Sequence, residues 1–333
     1  MKSGTGRLNR RAFTLIELLA VIAVIALLIG ILLPALGKSR ETARAIKCAV
    51  NVRSVVLGVT SYSAQNRYFP PAYVYAATER GLDWKVSDQL ISNPNPQNGY
   101  VHWTYALFSD GSVPEEAFKC PSAVNGGAPA SNPGANPKDW EPEQINDLGQ
   151  TSGGALPDDR QVKRCAYAGN AAIFPRNKFD LGGTPRKSQL VRESDPTFIS
   201  NTILATEFLQ KPGWKTLSVG GVIKSHRPIT PFNGISSGTN VYNEPVGGGQ
   251  HRFQYPALDD LYLQNDVPDG AIDDANTGLN VVGRIHPGKD AKGGTANFAF
   301  LDGHVEQSTV TKTIEKRSWG DKFYSITGGN GVR

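Results

Sequence analysis

Three side chains near the C-terminus are of types that bind metals. His286, Asp302 and His304 would supply two imidazoles and one carboxylate, a set that suits zinc or iron. Their spacing is not the i, i+4 pair of a helical metallohydrolase site, and roles in a hairpin and in capping the core compete for the same residues. Oxygen donors gather in DDLYLQNDVPDGAIDDAN, at Asp259, Asp260, Asp266, Asp269, Asp273 and Asp274. Calcium takes six to eight oxygens from flexible segments, but the D-x-D-x-D-G-x5-E loop is missing, and a solvated acidic loop is the plainer reading. No cofactor is expected, calcium being the one candidate these oxygens raise. His102, His226 and His251 stand apart with no motif around them, no P-loop or G-x-S-x-G occurs, and VGGGQ at 246–250 reads as a turn. The sequence offers no catalytic constellation, and the expectation is a protein that is not an enzyme.

Glu17 poses the sharpest physical problem. It heads an apolar run whose residues Leu18–Leu36 carry no charge, long enough to cross a bilayer as a helix. From Phe13 to Leu36 an ideal helix spans roughly 36 Å, against a hydrocarbon core of ~30 Å. A secretory signal has a shorter apolar region ending at a small-residue cleavage site, whereas this one continues through Pro34 and Gly37 into an amphipathic sequence. An isolated carboxylate near mid-membrane costs on the order of 3 kcal/mol. Either Glu17 snorkels to the interface or another group neutralises it.

The chain has 333 residues and a formal charge of +5. Lys2, Arg7, Arg10 and Arg11 hold four of its 35 basic residues, leaving 31 against 30 acids after residue 12. The basic balance belongs to a leader, so nucleic-acid binding loses its compositional support.

Beyond Gly37, Ile46, Ala49, Val52, Val56 and Val59 recur at three- and four-residue steps. That period predicts a helix with one apolar stripe, continuing the membrane helix to about Gln65 and ending at Phe69-Pro70-Pro71. Residues 67–333 read as short strands and long loops, with strands expected at Val101–Phe108, Ala166–Phe174, Phe198–Ala205, Leu217–Ile223 and Ala296–Leu301. No alternation of strand and helix suggests a doubly wound sheet. Residues 121–160, rich in Gly, Pro, Asn and Ser, read as an insertion loop. In ANFAFLDGHVEQ, Asp302-Gly303 between two extended runs predicts a hairpin whose two central residues both have positive φ.

The string RRAFTLIELLAVIAVIALLIGILLP resembles the N-terminus of type IV prepilins and type II secretion pseudopilins. The resemblance implies cleavage by a prepilin peptidase between Ala12 and Phe13 and N-methylation of the new Phe13 amine, which keeps its charge. It also implies a pairing of Glu17 with the Phe13 amine of a neighbouring subunit, and a helix kink at Pro34. Ala12 stands where the family usually has Gly. FLDGHV with His286 upstream resembles the C-terminal signature of a large bacterial family of pseudopilin-like proteins of unassigned function, with a longer spacer here through GKDAKGG. Phe118-Lys-Cys120-Pro-Ser, Cys165-Ala-Tyr-Ala-Gly-Asn, Ile203-Leu-Ala-Thr-Glu207 and the tail 319–327 look like landmarks of the same family.

Taken together, the expectation is an α+β, pilin-like fold: leader 1–12, transmembrane helix 13–36, amphipathic continuation 37–66, and a β-rich head 67–333 packed on that helix. By resemblance the protein is a single-pass inner-membrane protein with its head outside the cytoplasm. Its partners are the peptidase and other pilin subunits, in a secretion or pilus-like fibre. A membrane-anchored binding protein that uses the same processing without polymerising is the alternative. Cysteines oxidise outside the cytoplasm, and Cys120 and Cys165 flank the insertion, so a bridge between them is expected, with Cys48 a buried thiol.

Overall fold

The computed structural model describes residues 14–75, 100–109, 111–146, 149–151, 159–174, 191–209, 218–219, 222–223, 228–232, 255–268, 278–321 and 324. The chain divides into two compact units, Met1–Ala43 and Arg44–Arg333. Helix α1, Leu15–Asn66, belongs to both and continues through Pro34, although proline there removes the donor that would reach the Gly30 carbonyl.

In the first unit every residue of α1 from Leu15 to Arg40 is exposed, including its Leu, Ile and Val side chains, as expected of a span long and apolar enough to cross a membrane.

In the second unit the helix acquires an inside and an outside. Ala45, Cys48, Val52, Val55, Val56, Val59 and Tyr62 are buried. The apolar stripe is therefore rotated from the expected one: Val52, Val56 and Val59 belong to it, but Ile46 is 61% exposed. Cys48 and Tyr62 complete the buried face in its place. The helix ends where Arg67 takes a positive φ of 66°, just before Phe69-Pro70-Pro71.

The remaining elements follow in order: β1 Tyr73–Tyr75, β2 Tyr100–His102, α2 Trp103–Phe108, β3 Ala128–Pro129, β4 Arg164–Cys165, β5 Tyr167–Gly169, β6 Ile203–Glu207, β7 Ser218–Val219, β8 Val222–Ile223, β9 His286–Asp290, β10 Gly293–Phe300, β11 Val305–Ser308 and α3 Val310–Glu315. The principal sheet is antiparallel, ordered β11-β10-β6-β5, with β9 also paired to β10. The class is α+β, as the sequence implies. The expected strand at Val101–Phe108 is mostly helix α2, because Trp103, Ala106 and Leu107 share one buried helical face. The expected strands near Ala166–Phe174 and Phe198–Ala205 are shorter and displaced, as β5 and β6; Leu217–Ile223 is the β7–β8 pair.

Register explains how the helix sits on this sheet. Gly169 pairs with Ala205, and Ala205 with Ala299, so three small residues, one each from β5, β6 and β10, stand side by side on one face. Tyr167 and Glu207 pair on that face too, and alternation along β10 adds Asn297. This face receives α1: Tyr167 Oη donates to the Cys48 carbonyl at 3.0 Å and Asn297 Nδ2 to the Ala45 carbonyl at 3.2 Å. On the opposite face Phe298 meets the fully buried Trp319 edge-on at 6.1 Å. Covered on both sides, β10 is buried from Thr295 to Phe300.

The hairpin of β10 and β11 is present, with a different turn from the expected one. Only Gly303 has positive φ, at 86°. Gly303 N donates to the Phe300 carbonyl, giving a three-residue loop whose last residue is left-handed.

Candidate functional site

The first site is the start of α1. Thr14 is its N-cap: Thr14 Oγ1 accepts from Glu17 N at 3.3 Å, while Glu17 Oε2 accepts from Thr14 N at 2.9 Å and from Thr14 Oγ1 at 2.8 Å. This is a reciprocal capping box, and it sets the Glu17 carboxylate at the positive end of the helix dipole. Among the described residues Glu17 Oε1 has no protein donor. The sequence Thr14-Leu-Ile-Glu17 carries the capping-box pattern outright, a signal obscured by reading Glu17 only as a charge in lipid. Ala12 and Phe13 lie outside the described residues. Pro34 lies within the exposed apolar part of the helix.

The second site is the junction of α1 with the sheet. Glu207, at the end of β6, is fully buried. Its Oε1 accepts from Asn297 Nδ2 at 2.8 Å and faces His286 Nε2 at 2.9 Å, and its Oε2 accepts from Asn297 N. Burying an unpaired carboxylate costs several kcal/mol; here two Asn297 N–H groups and the facing His286 nitrogen offset that cost. His286, first residue of β9, is itself buried, and its Nδ1 has no partner among the described residues.

Beside this knot Cys48 and Cys120 form a disulfide. This corrects the expected Cys120–Cys165 bridge. Asn51 Nδ2 and Tyr167 Oη both donate to the Lys119 carbonyl, at 2.7 and 3.3 Å, holding the 119–120 segment against the buried side of α1 where Cys48 lies. Cys165 instead pairs with Ala128 in the β3–β4 ladder and points its thiol at the Tyr167 carbonyl, 3.1 Å away. That ladder, not a bridge, closes the base of the 121–160 segment. Burial pushes the Cys165 thiol up to about 12. Tyr167 is also raised well above its usual value, first by burial and then by the negative charges of Glu207 and Cys165.

The structure does not bring His286 to Asp302 and His304. His304 and Asp302 pair at the exposed hairpin tip, Nδ1 to Oδ1 at 2.5 Å, with the imidazole stacked on Phe300. His286 points to Glu207 and the two cysteines. The two-imidazole, one-carboxylate set is therefore corrected: β10 carries His286 and the tip to different places. His102, read as isolated, lies buried 3.4 Å from Asp159; His226 and His251 lie outside the described residues. Of the acidic cluster, Asp260 accepts from Ala257 N at 2.9 Å as a local cap, whereas Asp269, Asp273 and Asp274 lie outside the described residues.

Sequence reading missed Arg284. It is buried and donates to the carbonyls of Tyr262, Lys292 and Asn280 at 2.8, 2.6 and 3.1 Å, tying the 258–268 segment to the β9–β10 turn. Burial lowers its guanidinium to about 10, against the opposing pull of Asp290.

The prokaryotic N-terminal methylation motif matches residues 7–33. A family described as protein of unknown function (DUF1559) matches residues 37–317. No curated protein and no solved structure matches the chain. The first match indicates pilin-type processing, and the second covers most of the chain.

Proposed function

The chain belongs to the DUF1559 family of proteins of unknown function, and from its methylation motif we propose that it is a pseudopilin-like structural subunit. Prepilin peptidase cuts between Ala12 and Phe13, the Phe13 amine is methylated, and the mature chain is held in the inner membrane with its head outside the cytoplasm. Subunits then leave the bilayer and pack into a type II secretion or type IV pilus-like fibre. The chain does no chemistry of its own and needs no cofactor on this reading.

One observation carries the proposal: the motif at 7–33 runs directly into a helix whose apolar residues to Leu36 are exposed, covered by none of the described residues of their own unit. Such a surface is satisfied by lipid before assembly and by other helices after it. Glu17 supports the reading as well. Thr14 occupies Oε2, which leaves Oε1 to accept from the methylated amine of a neighbour, and the pair relieves two charges that are each costly alone in hydrocarbon.

N-terminal sequencing and intact mass of membrane-extracted protein, from cells with and without the peptidase, test the first step. A chain beginning at methylated Phe13 only when the peptidase is present is expected. Retention of residues 1–12 in both strains overturns the reading. Correct processing without any cross-linkable multimer favours the anchored binding protein instead.

A further inference from the structure

The disulfide and the His286–Glu207 pair are one cluster. One donor atom from each of Cys48, Cys120, Glu207 and His286 lies within 4.8 Å of the other three, and all four residues are buried. They come from four different places: α1, the turn after residues 115–118, β6 and β9. While the sulfurs are bonded to each other, they have no thiolate to offer. Reduced, they would leave two thiols beside a carboxylate and an imidazole in a closed space, donor types that all bind zinc and as many as a tetrahedral site takes.

We propose that reduction of the Cys48–Cys120 disulfide converts this cluster into a zinc site in which Cys48, Cys120, His286 and Glu207 supply the four ligands. The inference does not depend on whether the chain polymerises.

The orphaned nitrogen supports it. His286 has one ring nitrogen on Glu207 and none of the described residues on the other, although buried polar atoms are usually satisfied. The imidazole thus has unused ligating capacity at Nδ1.

The two sulfurs must separate, because ligands on a tetrahedral ion at ~2.3 Å from sulfur lie further apart than bonded sulfurs.

The balance is simple. A phosphine reductant gives two electrons to the sulfur–sulfur bond and leaves as the phosphine oxide, its oxygen taken from water, whose two protons make the two thiols. Zinc then displaces those two protons and bonds to the thiolates. The consequence is a junction that stays closed in either redox state, by a covalent bond when oxidised and by a metal when reduced.

The test uses the full chain in detergent. Oxidised and phosphine-reduced protein are each equilibrated with zinc, then with cobalt as a spectroscopic substitute, and freed of excess ion by gel filtration. Reduced protein is expected to retain one metal per chain, with a thiolate-to-cobalt charge-transfer band and the intense visible bands of a tetrahedral ion; oxidised protein retains none. Cys165→Ser should behave as wild type, while Cys48→Ser and His286→Ala should lose the metal. Should a variant fold poorly, the wild-type spectrum and the zinc-dependent rise in thermal midpoint of reduced wild type still decide. No uptake by reduced wild type, uptake without the thiolate band, equal uptake when oxidised, or loss of uptake in Cys165→Ser each overturns the proposal.

Discussion

The phenol of Tyr167, on β5, donates to the main-chain carbonyl of Cys48, on α1, across 119 residues of sequence at 3.0 Å. A buried aromatic with one polar atom must find a partner for it, and this one finds two, Cys48 and Lys119, either side of the disulfide. Removing the hydroxyl in Tyr167→Phe should cost about 1 kcal/mol in urea unfolding. Because Tyr167 is raised well above its ordinary value, alkaline titration of tyrosine absorbance should show it ionising only as the protein unfolds.

Cysteine substitutions should separate cleanly. The Cys48–Cys120 bridge spans 72 residues, and loop-closure entropy for such a length is worth about 4 kcal/mol in the chain-entropy model. Cys48→Ser should therefore lower stability by an amount of that order in metal-free buffer, whereas Cys165→Ser, which keeps a donor for the Tyr167 carbonyl, should change it by less than about 1 kcal/mol.

The same thiol gives a pH dependence with a definite sign. Cys165 is raised from 9.0 to about 12 by burial, so the folded state holds its proton more tightly than the unfolded one. Its contribution is fully present below pH 9 and is lost as pH rises toward 12. Alkylation of native protein at neutral pH should leave Cys165 unmodified, since the thiolate is the reactive form. Rapid labelling without unfolding would contradict a thiol held in its protonated form.

Fully buried, Glu207 accepts two hydrogen bonds from Asn297 and faces His286 Nε2. Glu207→Ala should destabilise by a few kcal/mol, because it leaves Asn297 N, Asn297 Nδ2 and His286 Nε2 buried without their acceptor, at about 1–3 kcal/mol for each group left unsatisfied. Glu207→Gln should cost less, yet remain measurable, because its amide turns one donor toward Asn297 or His286. Chemical denaturation of both variants under oxidising conditions checks the order.

Glu17→Leu should insert into the membrane as well as wild type and fail to form cross-linked multimers. Thr14→Val tests the cap separately. It removes an N-cap side chain worth about 1 kcal/mol but keeps the carboxylate, so multimers should persist. Loss of multimers in Thr14→Val alone would shift the role of Glu17 from pairing to helix initiation.

How far the sequence led can be judged from particular residues. The apolar run after Glu17 and the Pro70-Pro71 stop define α1 almost to its end, because hydropathy and proline are local signals. Asp302-Gly303 likewise marks its hairpin locally. Ile46 misled because period alone fixes a stripe but not its phase, and the phase was set by Cys48, Tyr62 and a sheet far away in sequence. Glu207 and His286, 79 residues apart, carry no spacing signal at all. Only the register of β6 and β10 and the start of β9 bring them together. Cys120 chose Cys48 over Cys165 for the same reason: pairing follows which backbone segments are pinned side by side, and Asn51 and Tyr167 do that pinning.

About two turns of α1 thus have a mechanical meaning. Ala45, Cys48 and Asn51 are gripped by β10, by the 119–120 segment with β5, and by one covalent bond. A pull along the helix axis would load these attachments together, and the Cys48–Cys120 bond would keep this stretch of helix joined to the 119–120 segment even after the hydrogen bonds had broken.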